Sequence, residues 1–485
     1  MKLARHTLFN LIGLGAPLLL AAGAIPALLA ALGSERFGLL TLLWAVTSYF
    51  GLFDLGLGRS LTQQLSILFD QGRDDEVGPA SATALALMAV LGSIGGCLML
   101  LLAPWGVGML KISAHPKEAI QAAMVMGLAM PFIVLTAGLR GMLEARHAFF
   151  ALNCVRLPIG LWTFAGPWLV LVFVGPDLVW IAGALAGGRM IGCAVHGALV
   201  WRAVPQLRGR MLLQRQWLRP FLVSGGWLTL SNLISPFMGY ADRFLIGATI
   251  SAAAVALYAI PHELVTKIWI IPAAMTSVLF PAFAATIARQ DPDGWRIFDR
   301  AVGVLFLCVL PIASGLFLFA SELLQAWVGE GFARQSAPIL QIFAIGILIN
   351  CLAHVPLTWL HGAGYYRAPA LLYCIELPVF LVMLWCLCTS MGLKGAAVAW
   401  LIRICADSAA LFYLVYRHRG AATGHAIDLN RVAISLAAVF AALSFAGAVI
   451  PSMLIRAAWL ILVIAIVLSV WWRLRRPSPV PMLQS

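Results

Sequence analysis

Charged residues are scarce in this 485-residue chain. They make up only 11% of it, while hydrophobic residues make up 62%. Ordinary soluble domains are about a quarter charged. This composition excludes a soluble globular protein and predicts a polytopic membrane protein. The net charge of +13 does not indicate nucleic-acid binding, because the basic residues lie in short turns between apolar runs and form no basic domain.

The sequence also lacks the signatures of catalysis. It has no G-x-x-x-x-G-K-[ST] phosphate loop, so we expect no nucleotide hydrolysis. It has no H-E-x-x-H or comparable catalytic motif, and no loop between apolar runs is long enough for a catalytic domain. The nine cysteines are scattered through apolar runs, at spacings that match neither a zinc site nor a disulfide framework. The sequence therefore predicts a protein that is not an enzyme and that needs neither metal nor cofactor.

Long apolar runs dominate what is present. One membrane crossing needs about 20 apolar residues, and fourteen runs qualify. The first is longer than the core of a signal peptide, so we interpret it as a retained span. The runs cover residues 8–31, 38–66, 79–103, 117–139, 149–174, 177–201, 220–249, 253–285, 300–320, 336–361, 368–389, 393–416, 430–450 and 456–472.

Lysine and arginine in the connecting segments predict the orientation. If the N-terminus is cytoplasmic, 21 of these residues fall in inner segments and only 6 in outer segments. Cytoplasmic loops carry the excess of positive charge in membrane proteins, so we expect both termini in the cytoplasm. The six outer residues are Arg36, Lys111, Lys117, Arg334, Lys394 and Arg456.

An internal repeat predicts two halves. The strings LNCVRLP (152–158) and LYCIELP (372–378) recur at an offset of 220, and Arg189 aligns with Arg403 at an offset of 214. Six spans in each half make the repeats parallel, about an axis along the membrane normal. We expect an all-α fold of two six-helix lobes, 1–201 and 220–416, around a central cavity, with an extra helix pair at 430–472. The basic segment 202–219 joins the lobes, either as a topology signal or as an interfacial amphipathic helix.

Charged residues inside the apolar runs are the candidate functional residues. Each costs roughly 2.5 to 3.5 kcal/mol in hydrocarbon, a cost that becomes tolerable where helices line a polar cavity. In one interpretation they only neutralise one another between helices. In the other, Lys267 and Arg59 meet an anionic substrate. The ten are Asp54, Arg59, Arg189, Asp242, Arg243, Glu263, Lys267, Glu376, Arg403 and Asp407.

The sequence spacing of these candidates indicates which of them form pairs and which recur in both halves. Glu263 and Lys267 are four residues apart in the order that favours a pair on one helix face. Arg403 and Asp407 are also four apart, in the less favourable order. Arg189 and Arg403 recur in both halves, so they are either cavity residues or matched structural anchors. Arg59 lies near the inner end of its run, where it could instead extend to the lipid headgroups.

Several strings resemble the polysaccharide flippase family of the multidrug/oligosaccharidyl-lipid/polysaccharide exporter superfamily. They are LGSERFGLLTLLWAVTSYFGLFDLGLGRSL (32–61), LRGMLEARHAFFALNCVRLP, YADRFLIG, VALYAIPHEL, LFPAFA and GLKGAAVAW, in an order that covers most of residues 8–416.

The resemblance implies alternating access by a two-lobed bundle in the cytoplasmic membrane. The implied substrate is a polyprenyl-diphosphate-linked oligosaccharide, such as an O-antigen or exopolysaccharide unit, flipped to the outer leaflet for polysaccharide biosynthesis. In this family helices 1, 2, 7 and 8 line the cavity. The resemblance thereby implies that Arg59, Arg243 and Lys267 line the cavity and bind the diphosphate. Arg189 and Arg403 are further substrate-binding candidates because they recur in both halves. Asp54, Asp242 and Glu263 are the candidates for coupling an ion.

Alternative functions remain open at this stage. Fourteen spans are typical of the lipid II flippase branch, whose extra pair helps to bind the lipid tail. A drug or cation antiporter of the same superfamily would need a cavity acid without a basic partner, and Asp54 or Asp242 could serve. A membrane glycosyl polymerase or ligase would need a large outer loop, which this chain lacks. We expect membrane lipids and polysaccharide polymerase or export machinery as partners, and no nucleic acid.

Overall fold

The computed structural model describes residues 2–50, 56–146, 148–208, 213–218, 221, 226–289, 291, 293–418, 439–445, 447, 449–450 and 452–474. These ranges contain helices and no strands, which confirms the all-α prediction. The α-helices with printed limits are α1 Lys2–Phe50, α2 Leu57–Asp70, α3 Asp74–Gly108, α4 Pro116–Ala145, α5 Phe149–Phe173, α6 Leu178–Ala203, α7 Gly226–Thr249, α8 Ala252–Thr266, α9 Ile270–Ala288, α10 Asp293–Leu318, α11 Ala320–Val328, α12 Glu330–Gly362, α13 Arg367–Tyr416 and α14 Met453–Leu474.

The two longest helices are each two helices joined at a glycine. Gly33 interrupts α1 with φ 72°, and Gly392 interrupts α13 with φ 62°. Glycine adopts this left-handed region without steric cost. The interruptions fall between runs 8–31 and 38–66 and between runs 368–389 and 393–416, so they separate the spans that the sequence predicts.

Two predicted spans are less regular than a single helix. The run 38–66 is divided between α1, which ends at Phe50, and the short helix α2. The run 253–285 consists of α8, a 3₁₀ turn at Lys267–Trp269, and α9. Such a turn inside an apolar run often marks a hinge. The short helix α11 was not predicted.

Length and composition identify nine candidate membrane spans within the described residues. They confirm a polytopic membrane fold, while the number of crossings beyond these nine stays a prediction. The segment 202–219 shows two 3₁₀ turns in its described part, at Pro205–Arg208 and Arg215–Trp217.

The chain forms two compact units, 1–259 and 260–485. In the first, α4 packs against both α3 and α6, and α1 packs against α5. In the second, α12 packs against α10, α11 and α13. Here α14, the second helix of the predicted extra pair, joins α11 through an ion pair between Arg456 and Glu322. The division into lobes at 1–201 and 220–416 stays a prediction.

Candidate functional site

Asp242 on α7 is fully buried in the first unit. The hydroxyl of Tyr258 on α8 donates a hydrogen bond to its Oδ2 at 2.7 Å, and the backbone N–H of Arg243 donates to its Oδ1 at 2.8 Å. A buried carboxylate is strongly destabilising unless donors of this kind satisfy it. Tyr258 was not predicted as part of the site. A tyrosine sixteen positions from the acid carries no periodic signal that could identify it.

Arg243, the next residue on α7, is also buried. Its guanidinium lies 5.1 Å from the centroid of the Tyr240 ring, a cation–π distance. Burial removes this predicted anion-binding group from the accessible surface of the first unit. A substrate could reach it only in a different arrangement of the helices.

The other candidates of the first unit differ in exposure. Arg59 is exposed in the first turn of α2, and Asp54 lies outside the described residues. Arg189 is half-buried in the middle of α6. Within the described part of the chain, the Arg189 guanidinium has neither a hydrogen bond nor an ion pair. An intramembrane arginine without an acid is costly unless an anion or water compensates its charge.

In the second unit, Glu263 and Lys267 form the ion pair that their spacing predicts. The Lys267 Nζ lies 2.9 Å from Glu263 Oε2, and the lysine side chain is 38% exposed. Lys267 is the first residue of the 3₁₀ turn between α8 and α9. An ammonium has three donors, so Lys267 retains hydrogen-bonding capacity beyond this pair, at the point where the helix changes to a 3₁₀ turn.

Arg403 lies in a largely buried acidic cluster of the second unit. Its Nη1 is 3.6 Å from Glu376 Oε1, with the two side chains only 11% and 9% exposed. Asp407, one turn further along α13, is also buried. The sequence spacing pointed to Asp407 as the partner, and the structure adds Glu376 from the other side of the Gly392 interruption. The guanidinium also lies 5.2 Å from the Phe380 ring centroid.

Arg189 and Arg403 therefore correspond in sequence but have different surroundings. In the repeated strings, Glu376 occupies the position of Arg156, so the first half carries a second base where the second half carries an acid. Arg156 is exposed on α5. The carboxylates neutralise Arg403, whereas Arg189 has no such partner within the described residues.

The described residues hold no group of three or more His, Cys, Asp and Glu side chains that could bind a metal ion. The candidates of each unit instead present cationic groups and buried acids on membrane helices. Such an arrangement can bind an anion or exchange a proton.

The chain is similar to known proteins along most of its length. Residues 3–287 match the model of a family described as "Polysaccharide biosynthesis protein". A protein of Shigella flexneri described as "Putative O-antigen transporter" is 30% identical over 418 residues, which cover 86% of this chain and 98% of that relative.

Two solved structures share the fold. An inward-facing multidrug resistance MATE family transporter matches with a TM-score of 0.74 at 14% identity, covering 82% of this chain and 93% of that one. The lipid II flippase MurJ in an inward closed conformation matches with a TM-score of 0.69 at 13% identity, covering 96% and 99%. Identities this low establish a common fold and leave substrate and mechanism open.

Proposed function

The chain belongs to the polysaccharide biosynthesis protein family, and we propose that it is a flippase for a polyprenyl-diphosphate-linked oligosaccharide. It would move this lipid across the cytoplasmic membrane by alternating access, for cell-surface polysaccharide biosynthesis. The observation that carries the proposal is the match over 98% of a relative described as a putative O-antigen transporter. We infer a transporter rather than an enzyme.

Exposure selects among the cationic candidates. Arg59 is exposed and Lys267 is partly exposed. Arg243 is buried against a ring, and the Arg403 side chain is only 11% exposed and lies against an acid. We propose that Arg59 and Lys267 each contact the diphosphate during the cycle, because a diphosphate offers several charged acceptors to cationic donors. Arg189 is a further candidate, since its charge lacks an acidic partner among the described residues.

The acids have a second proposed role. Glu263 would hold Lys267 until an anion replaces it, and Asp242 or Asp54 would couple an ion to transport.

The proposed membrane arrangement has both termini in the cytoplasm, two parallel six-helix lobes and the extra pair at 430–472. Polymerase or export machinery would receive the flipped product.

The proposal is tested by deleting the gene and measuring the extracted polyprenyl-linked lipids by mass spectrometry. A flippase predicts accumulation of a complete diphosphate-linked oligosaccharide, restored to the normal level by the wild-type chain. An unchanged lipid pool with altered sensitivity to cationic drugs would contradict the flippase and favour an ion-coupled antiporter. Accumulation of lipid II would favour the lipid II-type alternative.

Substitution of Lys267 tests the proposed contact. We expect Lys267→Ala to reduce polysaccharide export at least about tenfold, the loss expected when a charge-assisted hydrogen bond is removed, while the protein still inserts. Glu263→Gln is the matched comparison, because it removes the negative charge from the same 2.9 Å contact and keeps the lysine charge. Export measured in the deletion strain distinguishes them, and full activity of Lys267→Ala would exclude the contact.

A further inference from the structure

The first unit contains an apolar pocket with a volume of about 230 Å³. It lies between the second part of α1, the end of α3, the beginnings of α4 and α6, and Phe244 of α7. All of its lining residues are apolar or glycine. A cavity of about 150 Å³ lined by Leu, Ile and Phe already stays dry and binds small apolar molecules. This larger pocket therefore suits a hydrocarbon ligand and not water.

The pocket opens toward the outside of the helix bundle. Two of its lining residues, Leu102 and Trp105, are 50% and 67% exposed on α3. Since α3 is a candidate membrane span, its exposed apolar surface faces lipid. Both residues lie near the end of the span, where tryptophan is typical of the boundary between hydrocarbon and headgroups. A chain in the pocket would thus have its polar end at a membrane surface.

Two exposed lysines follow the pocket at that surface. Lys111 comes directly after the lining residue Leu110, and Lys117 precedes the lining residue Ala119 by two positions. The Nζ of Lys111 donates to the carbonyl of Thr249, which leaves two of its three donors. Arg36 is a different case, because its Nη2 lies 2.9 Å from Glu118 Oε2, and this ion pair neutralises its charge.

The loop that carries Lys111 is held in place by the surrounding backbone. The N–H of Lys111 donates to the carbonyl of Gly247 at 2.9 Å, and its carbonyl accepts from the N–H of Ala252 at 3.2 Å. Glu35 Oε1 accepts the N–H groups of Ser113 and Ala114 at 3.1 and 2.9 Å. The lysine position is therefore preorganised relative to the pocket, and less conformational entropy would be lost on binding a ligand.

We propose that this pocket binds the part of the isoprenoid chain next to the diphosphate of a polyprenyl diphosphate, with the diphosphate beside Lys111 and Lys117. The inference rests on the proposed function and adds the place from which the flipped lipid leaves, because the predicted orientation puts these lysines outside. A methyl-branched hydrocarbon matches the purely apolar lining. A diphosphate carries more negative charge than a phospholipid phosphodiester, and two cationic groups complement it.

Matched glycine substitutions on α3 test the pocket. A Cβ added at Gly106 or at Gly108 meets no heavy atom within 4 Å, so both sites accept a larger side chain, but only Gly106 lines the pocket. The full-length protein in nanodiscs is titrated with undecaprenyl diphosphate and, separately, with phosphatidylglycerol. We expect Gly106→Leu to weaken undecaprenyl diphosphate binding about tenfold or more, since it displaces buried methylene groups of the ligand. Gly108→Leu is expected to bind like the wild type.

The lysines are tested in the same assay. We expect Lys111→Ala combined with Lys117→Ala to weaken undecaprenyl diphosphate binding about threefold to tenfold and to reduce its salt dependence. Arginine at both positions should restore binding. Phosphatidylglycerol bound as tightly as undecaprenyl diphosphate, or equal binding by the Gly106→Leu and Gly108→Leu proteins, would overturn the inference. Neither result would affect the lipid accumulation that tests the flippase itself.

Discussion

At the scale of single residues, the corresponding arginines of the two halves are expected to respond differently to substitution. The Nη1 of Arg403 lies 3.6 Å from Glu376 Oε1, and the buried Asp407 lies one turn further along the same helix. Removal of the guanidinium leaves buried carboxylates without a counter-charge. We expect Arg403→Ala to lower the free energy of unfolding by about 3 to 5 kcal/mol, measured by denaturant unfolding of the detergent-solubilised protein.

Two further variants make this prediction specific. Adding Glu376→Gln to Arg403→Ala should recover part of the lost stability, because it removes one of the carboxylates left without a counter-charge. Arg189→Ala should leave stability nearly unchanged, since the described residues offer its guanidinium no ion pair to lose, and should lower export if Arg189 contacts the anion. Equal losses of stability at positions 189 and 403 would show that both are structural anchors.

The hydrogen bond between Tyr258 and Asp242 is the second prediction at this scale. Tyr258→Phe removes a donor at 2.7 Å from a fully buried carboxylate. A hydrogen bond to a charged group contributes about 1.5 to 3 kcal/mol, so we expect a loss of this size in the free energy of unfolding. In an Asp242→Asn background the same substitution should cost clearly less. A double-mutant cycle with no coupling between the two positions would contradict the assignment.

At the scale of helices, Gly38 lets α1 approach the first residue of α8 closely. A Cβ at position 38 would lie 1.8 Å from the carbonyl oxygen of Ala252, so backbone must move to accommodate it. We expect Gly38→Ala to destabilise the protein by about 1 to 3 kcal/mol or more. Gly23→Ala on the same helix is the control. Its Cβ meets no heavy atom within 4 Å, and alanine is the better helix former by about 1 kcal/mol.

The positions of most helices could be predicted from the sequence, because the membrane determines how long an apolar run must be and requires it to be helical. An apolar run of about 20 residues must satisfy its backbone hydrogen bonds internally, so it becomes a helix. This reasoning placed α3 to α6 and the division of α13 near Gly392. It could not place the 3₁₀ turn at Lys267, which depends on local packing inside the run 253–285. It also could not place the short helix α11, which lies in the segment between the runs 300–320 and 336–361.

The partners of the candidate charges were less predictable than the helices. Glu263 and Lys267 are four apart on one helix, so their pair follows from helical geometry. Glu376 and Arg403 are separated by the Gly392 interruption, and Asp242 and Tyr258 belong to different helices. Contacts of this kind depend on how each helix is rotated against its neighbour, and hydropathy alone carries no information on that rotation.

At the scale of the whole molecule, the excess of positive charge in inner segments connects several proposals. The 21 to 6 distribution predicts cytoplasmic termini, and the same orientation puts Lys111 and Lys117 on the outer surface. If the orientation were reversed, the pocket beside them would open to the cytoplasmic leaflet. It would then receive the lipid before transport instead of releasing it afterwards.

Labelling of introduced cysteines decides between these orientations. Lys117 and Arg73 are both exposed and lie at opposite ends of the segment that α3 spans, so one should face outward and the other inward. We expect Lys117→Cys to react with a membrane-impermeant maleimide in intact cells, and Arg73→Cys to react only after the membrane is permeabilised. The unsubstituted chain controls for its nine native cysteines. The opposite pattern would contradict cytoplasmic termini and assign the pocket to substrate entry, while the lipid accumulation test of flipping would stand unchanged.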